Sequence, residues 1–195
     1  MAYVMAFSYD SRPIQTLLNQ IRNINKRDGI DLQPEYQRGY IWSSDFKDKL
    51  LYSIIKCYPI GNISLRVRTE KNPKGAMQEV VDGQQRLTTV YKFIENEYII
   101  QSEISKDIIR YIVEYMDGDT DEKLSKLKRK LNNKGKVAIS FKQLPQAIQD
   151  NILAYNISIT NITNASDDEI TEYFRYLQNQ ERLRAGELLN SIPDT

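Results

Sequence analysis

The sequence predicts a mixed α/β fold, and three patterns carry that prediction. Apolar residues alternate with polar ones at Ile63, Leu65 and Val67, in the run ending Val80-Val81, and again from Asn156 to Ile162, the period of half-buried strands. Between these runs the apolar residues recur every three to four positions, as amphipathic helices require. No internal repeat and no low-complexity linker divides the 195 residues, a length suited to one compact domain or at a stretch to two very small ones. One domain over 1–195 is the economical expectation.

The elements follow in order. Ile14, Leu17, Leu18 and Ile21 form the stripe of a first helix, with Ser11 as its expected cap and Pro13 in its first turn. Asp28-Gly29 turns the chain, and residues 33–42 read as a loop because Pro34 and Gly39 break any period. Ser43 or Ser44 caps a second helix whose expected buried stripe is Phe46, Leu50, Ile54 and Cys57, and Pro59 marks its exit. The strand at Ile63–Val67 and the strand ending at Val81 are expected to pair across an Asn72-Pro73-Lys74-Gly75 turn. A helix with Leu87, Val90, Tyr91 and Ile94 follows, then one with Ile104, Ile108, Ile112 and Tyr115 that stops at Asp117-Gly118-Asp119. The next carries Leu124, Leu127 and Leu131, with acids at its start and bases at its end, as the helix dipole favours. Val137, Ile139 and Phe141 suggest a short strand, and a helix near Ala147–Leu153 precedes the strand Asn156–Ile162. Ser166 and Glu169 form a capping box for a helix bearing Ile170, Tyr173, Phe174 and Leu177; a short helix with Glu187-Leu188-Leu189 closes the chain.

Composition narrows the chemistry. With 0 His and 1 Cys, zinc clusters, Ser-His-Asp or Cys-His triads and His-dependent nuclease motifs are excluded from these residues. Lys+Arg 27 against Asp+Glu 26 gives a net charge of +1, so any attraction to nucleic acid must be local. The apolar start, Met1 to Phe7, lacks the basic residues of a signal peptide, and no apolar run has membrane-spanning length. A cytoplasmic protein without a membrane partner is expected, with Cys57 a buried thiol. The Asn-x-Ser/Thr triplets at Asn62, Asn156, Asn161 and Asn164 are therefore read as structural.

The most informative junction is Asp82-Gly83-Gln84-Gln85-Arg86, between a strand and a helix. A glycine there permits a tight turn and a close ligand approach. The first-turn amides and the positive end of the helix dipole can face an anion, and Arg86 can grip two phosphate oxygens. Gln84 and Gln85 can orient a water or a nucleotide edge, and Asp82 can hold Mg²⁺ or that water. The competing reading is structural: Asp82 caps the helix, Gly83 turns the chain and the remaining side chains are solvated. Neither a Walker A string nor a Gly-x-Gly-x-x-Gly occurs, which disfavours P-loop and Rossmann enzymes.

Two long segments at the expected separation then resemble a family. Pro34-Glu35-Tyr36-Gln37-Arg38-Gly39-Tyr40-Ile41-Trp42 and Val80-Val81-Asp82-Gly83-Gln84-Gln85-Arg86-Leu87-Thr88-Thr89, with Tyr58-Pro59-Ile60-Gly61 between them, resemble the N-terminal domain of GmrSD-type modification-dependent restriction enzymes. Phe141 to Pro145, Tyr155-Asn156-Ile157, and Phe174 to Leu177 with Leu183 and Glu187-Leu188 are similar to that family's closing elements. The resemblance implies a ParB/sulfiredoxin-like domain, a small mixed sheet surrounded by helices. It implies a nucleoside triphosphate bound and hydrolysed at the motif, with Mg²⁺, in control of DNA restriction against phage.

Carried onto these positions, Asp82, Gln84, Gln85 and Arg86 are the catalytic set, and Tyr36, Gln37, Arg38, Gly83 and Arg86 the nucleotide-binding set. Arg38 reads equally as a structural ion pair with Glu35 or Glu187, and Tyr36 and Trp42 as wall rather than chemistry. The family's Phe-x-x-Leu-Asn becomes Phe174-Arg175-Tyr176-Leu177-Gln178, which puts any role of the shorter amide in doubt. Complete restriction enzymes of this type add a His-dependent HNH nuclease, which histidine-free residues cannot supply. Two expectations follow: either these residues are the regulatory half of a larger polypeptide or system, with a nuclease subunit or fused nuclease domain as partner, or they work as a small stand-alone protein.

Seven basic residues stand between positions 123 and 136 with no acid: Lys123, Lys126, Lys128, Arg129, Lys130, Lys134 and Lys136. They could contact DNA phosphates. The bland alternative, a solvated helix face balanced by Asp117, Asp119, Asp121 and Glu122, explains them at least as well. A non-catalytic DNA-binding or modified-DNA-binding module, and an interaction subunit of a restriction complex, are therefore the rival functions.

Overall fold

Strand pairing is built around Ile63–Val67, where the alternation is strongest. The structure, a computed structural model, describes residues 4–33 and 42–177. Five strands form one mixed sheet in the order β1-β5-β3-β4-β2: β1 Ala6–Pro13, β2 Ile30–Asp31, β3 Ile63–Val67, β4 Gln78–Asp82 and β5 Asn156–Thr163. β3 is central, antiparallel to β4 and parallel to β5. The β3–β4 connection turns where expected: the Asn72 side-chain oxygen accepts from the amides of Lys74 and Ala76 at 3.0 and 2.9 Å.

Alternation along the strands assigns the two faces. Ile63, Leu65, Val80, Ile157 and Ile159 face one continuous core with buried residues of six helices. These are α1 Ile14–Arg22, α2 Ser44–Ile55, α3 Gln84–Ile94, α4 Ser105–Tyr115, α5 Glu122–Lys130 and α6 Gln146–Ala154. Val81 and Ile162 point the other way and meet Ile170 in a second, smaller cluster beneath helix α7, residues 167–177. The small central sheet is thus flanked by helices on both faces. No helix among the described residues is long and apolar enough to cross a membrane.

Several expectations need correction. Ser11 does not cap α1. Residues 11–13 pair with 156–158 as the end of β1, and the helix starts after Pro13, whose ψ of 145° is extended. Phe46 is exposed, as is Cys57, which lies beyond the end of α2 at φ 56° and so leaves the helical stripe. Tyr115 is also exposed. The strand expected at Val137–Phe141 reduces to an isolated bridge between Ile139 and Ile100, because Phe141 opens a short 3-10 turn instead. The Ser43 cap and the Ser166–Glu169 capping box are present as expected: Ser43 accepts from the Phe46 amide, and Ser166 and Glu169 bond reciprocally. Tyr36, Gln37, Arg38, Gln178, Leu183 and the final helix at 187–189 lie outside the described residues.

Candidate functional site

β4 ends at Asp82, and Gly83 makes the turn into α3 with φ 86° and ψ 13°, the left-handed region glycine enters without cost. A Cβ at position 83 would stand 2.2 Å from Cδ1 of Ile63, so the packing against β3 demands glycine as strongly as the dihedral does. No side chain caps α3 at Gly83. Asp82 does not cap α3; it pairs with Arg86, Nη2 donating to Oδ2 at 2.9 Å.

Arg86 is held at both nitrogens of its guanidinium fork. Its Nη1 also donates to the carbonyl oxygen of Ile60 at 3.1 Å, and its side chain is 17% exposed. The cradle is completed by Gly61, at φ +83°, where a Cβ would approach Nη1 to 2.4 Å. The 58–61 segment is tied down in turn by the Tyr155 hydroxyl, which donates to the Tyr58 carbonyl at 2.7 Å. Burial raises the Tyr155 hydroxyl above its ordinary pKa, so it remains a donor at neutral pH. The Tyr58-Pro59-Ile60-Gly61 string and the Asp82–Arg86 string therefore meet at one guanidinium. Ile60 and Gly61 stood in the sequence only as part of the Tyr58-Pro59-Ile60-Gly61 string that carries the family resemblance; their contact with Arg86 was not foreseen.

The glutamines occupy different environments. Gln84 is buried at 8% exposure, while the Gln85 side-chain oxygen accepts from the Trp42 backbone N–H at 3.1 Å. One turn along, the Thr88 hydroxyl is buried without a hydrogen-bond partner, an orphaned polar atom on the motif helix. On the other side of Asp82, Ser64 is its register partner on β3, and Tyr173 of α7 packs against the cluster containing Val81. Burial raises the Tyr173 hydroxyl, and the Asp82 carboxylate pushes it the same way, opposed by a hydrogen bond with Ser64.

Asp82, Gly83, Gln84, Gln85 and Arg86 are thus gathered at the end of β4, with Arg86 and the start of α3 able to face an anion. A phosphate gripped edge-on by Arg86 competes with Asp82 for the guanidinium. Among the described residues no group of three His, Cys, Asp or Glu side chains could hold a metal ion by itself.

The basic stretch is less free than its sequence suggests. Lys126 pairs with Glu122 at 2.7 Å and Lys136 with Glu103 at 3.2 Å. Lys130 donates to the Ala138 carbonyl and to Gln143, and burial lowers its pKa. Lys123, Lys128 and Arg129 remain outside any ion pair among the described residues, so a phosphate-contacting face on α5 would centre on these three.

The family model of the GmrSD restriction endonuclease N-terminal domain matches residues 14–192. No curated protein and no solved structure matches the chain.

Proposed function

Because the chain belongs to the family of GmrSD restriction endonuclease N-terminal domains, we propose that it is a nucleotide-responsive control domain of a phage-defence restriction system. The Asp82–Arg86 turn binds a nucleoside triphosphate and hydrolyses it, and the fold is of the ParB/sulfiredoxin type. The observation that carries this reading is Arg86, held by the Ile60 carbonyl and Asp82 beside the start of α3, where Gly83 supplies no side-chain cap. That geometry gives an incoming phosphate a fork of donors and the positive end of a helix dipole together.

Each side chain has a part in this mechanism. Arg86 swings its guanidinium edge from Asp82 to the phosphate oxygens and balances charge as it develops there. Gly83 lets the phosphate approach the backbone. The Gln85 side chain, whose oxygen accepts from the Trp42 amide, is assigned to orienting the attacking water. Gln84 lines the wall. A single carboxylate suits Mg²⁺, which commonly takes one or two protein oxygens and completes its shell with phosphate oxygens and waters. Asp82 is that carboxylate, and the ion would neutralise phosphate charge there. Tyr36, Gln37 and Arg38 are assigned to the nucleotide by family resemblance.

Phosphate release from the four common ribonucleoside triphosphates with Mg²⁺ tests the reading. Arg86→Ala and Asp82→Ala are each expected to lower turnover by about 100-fold or more, the scale of losing one positioned charge stabiliser. Turnover retained in both variants would place the reaction elsewhere.

A further inference from the structure

The two edges of the sheet are finished differently. β2 closes one edge with two residues, too short to template a further strand. β1 forms the other edge with eight, paired to β5 in unbroken register from Ala6 opposite Thr163 to Pro13 opposite Asn156. The devices that usually blunt an edge are missing from it: no bulge interrupts it, no lysine stands on it, and its proline is the last residue. Its two charges, Asp10 and Arg12, pair with each other at 3.0 Å.

Backbone groups alternate in direction along β1. The Ile14 amide donates to the Tyr155 carbonyl, so Arg12, Asp10 and Ser8, in phase with it, turn their N–H and C=O groups toward β5. Phe7, Tyr9 and Ser11 turn theirs outward, where no backbone group of the described residues meets them. Phe7 lies opposite Ile162 of the smaller cluster, so the Phe7 and Tyr9 rings share the α7 face, 46% and 79% exposed.

We propose that β1 pairs with β1 of a second copy of this chain, antiparallel about a two-fold axis at Ser8, which joins the two sheets edge to edge. Outward-facing residues must oppose one another, and few registers satisfy this. With the axis at Ser8, Phe7 opposes Tyr9 of the partner subunit and Tyr9 opposes the partner's Phe7, two aromatic pairs on one face, while Asp10 meets a neutral alanine. An axis at Asp10 sets like charges against each other, and one at Tyr9 leaves each Phe7 opposite a serine. An axis at Ser11 sets Tyr9 against a proline, which has no N–H to give. The strand therefore matches itself, as an isologous interface requires, and that self-match selects a second copy over an unrelated strand. One strand pair buries less than a standard interface, so association in the micromolar range is expected.

Sedimentation velocity over about 1–200 µM should show the mass doubling as concentration rises. Tyr9→Lys, at a position exposed enough to leave the fold intact, should weaken association by about tenfold or more. Ser8→Cys, with the exposed Cys57 replaced by serine, reads the register. The two Ser8 Cα atoms would stand about 4.5 Å apart as a non-hydrogen-bonded pair, within disulfide reach. Oxidised glutathione should therefore link the copies through residue 8, and Asp10→Cys in the same background should stay unlinked. A monomer at every concentration overturns the proposal, whether the edge is then bare or taken by a different chain. A dimer indifferent to Tyr9→Lys, or linked through residue 10 in place of residue 8, puts the contact elsewhere and overturns it as well. Nucleotide turnover enters none of these measurements, so the function proposed above stands or falls separately.

Discussion

Gly61 stands 25 positions from Arg86, yet the two define one another: the glycine leaves room for a guanidinium that would otherwise be displaced by a Cβ at 2.4 Å. Gly61→Ala is expected to cost about 1–3 kcal/mol of stability, part from a positive φ and part from the displaced arginine. Urea denaturation in two backgrounds separates these parts. With Arg86→Ala already in place the cost should fall to about 1 kcal/mol, the backbone share alone. The same cost in both backgrounds would mean that the glycine serves only its turn. At this scale the motif itself was legible, because a strand, a glycine, two amides and an arginine at a helix start restrict each other locally. The roles within it were not. Whether Asp82 caps the helix or pairs with Arg86 depends on Ile60 and Gly61, and such contacts between distant positions leave no periodic trace in a sequence.

At the scale of elements, α7 gives the clearest titration. A hydrogen bond from Arg66, helped by Arg68, holds the Asp167 carboxyl below the usual carboxylate range. A depressed carboxyl stabilises the folded state at pH values above its unfolded pKa of about 4, and that contribution is lost as pH falls through the lowered folded value. Acid should therefore loosen α7 below about pH 4 and leave it unaffected between pH 5 and 7. Asp167→Asn should already show the loosened helix at pH 7, by faster exchange of residues 170–177. If its exchange matched the wild type at pH 7, the pair would be ornamental. β3, β4 and β5 were legible as strands because one face of each carries the apolar residues of a core. β1 was not: both its faces are largely solvated, with Tyr9 79% exposed, so no alternation marks it and only pairing with β5 makes it a strand. Phe46 and Cys57 were misplaced for a related reason, since a stripe read at helical spacing does not reveal where α2 ends or how far its packed face extends.

At the scale of the whole molecule the sheet separates two apolar clusters of unequal size, and this division governs how the protein should fail. Phe93 lies at 0% exposure in the main cluster, edge-on to Phe141 with centroids 5.8 Å apart. Ile170 is equally buried but belongs to the small cluster behind the sheet, with Val81 and Ile162. The layered α/β character was readable from composition and period, whereas this division was not, because Val80 and Val81 are adjacent in sequence and face opposite clusters only through the pleat. Phe93→Ala should cost about 3–5 kcal/mol and reduce protection in every helix that shares the large core. Ile170→Ala should cost about 2–4 kcal/mol locally, yet appear as faster exchange in α7 and around Val81 while α2, α4 and β3 keep most of their protection. Residue-resolved hydrogen exchange distinguishes the two. If Ile170→Ala instead lowered protection uniformly, the back layer would be an inseparable part of the core. A local loss would show that α7 can loosen without unfolding the sheet that carries it.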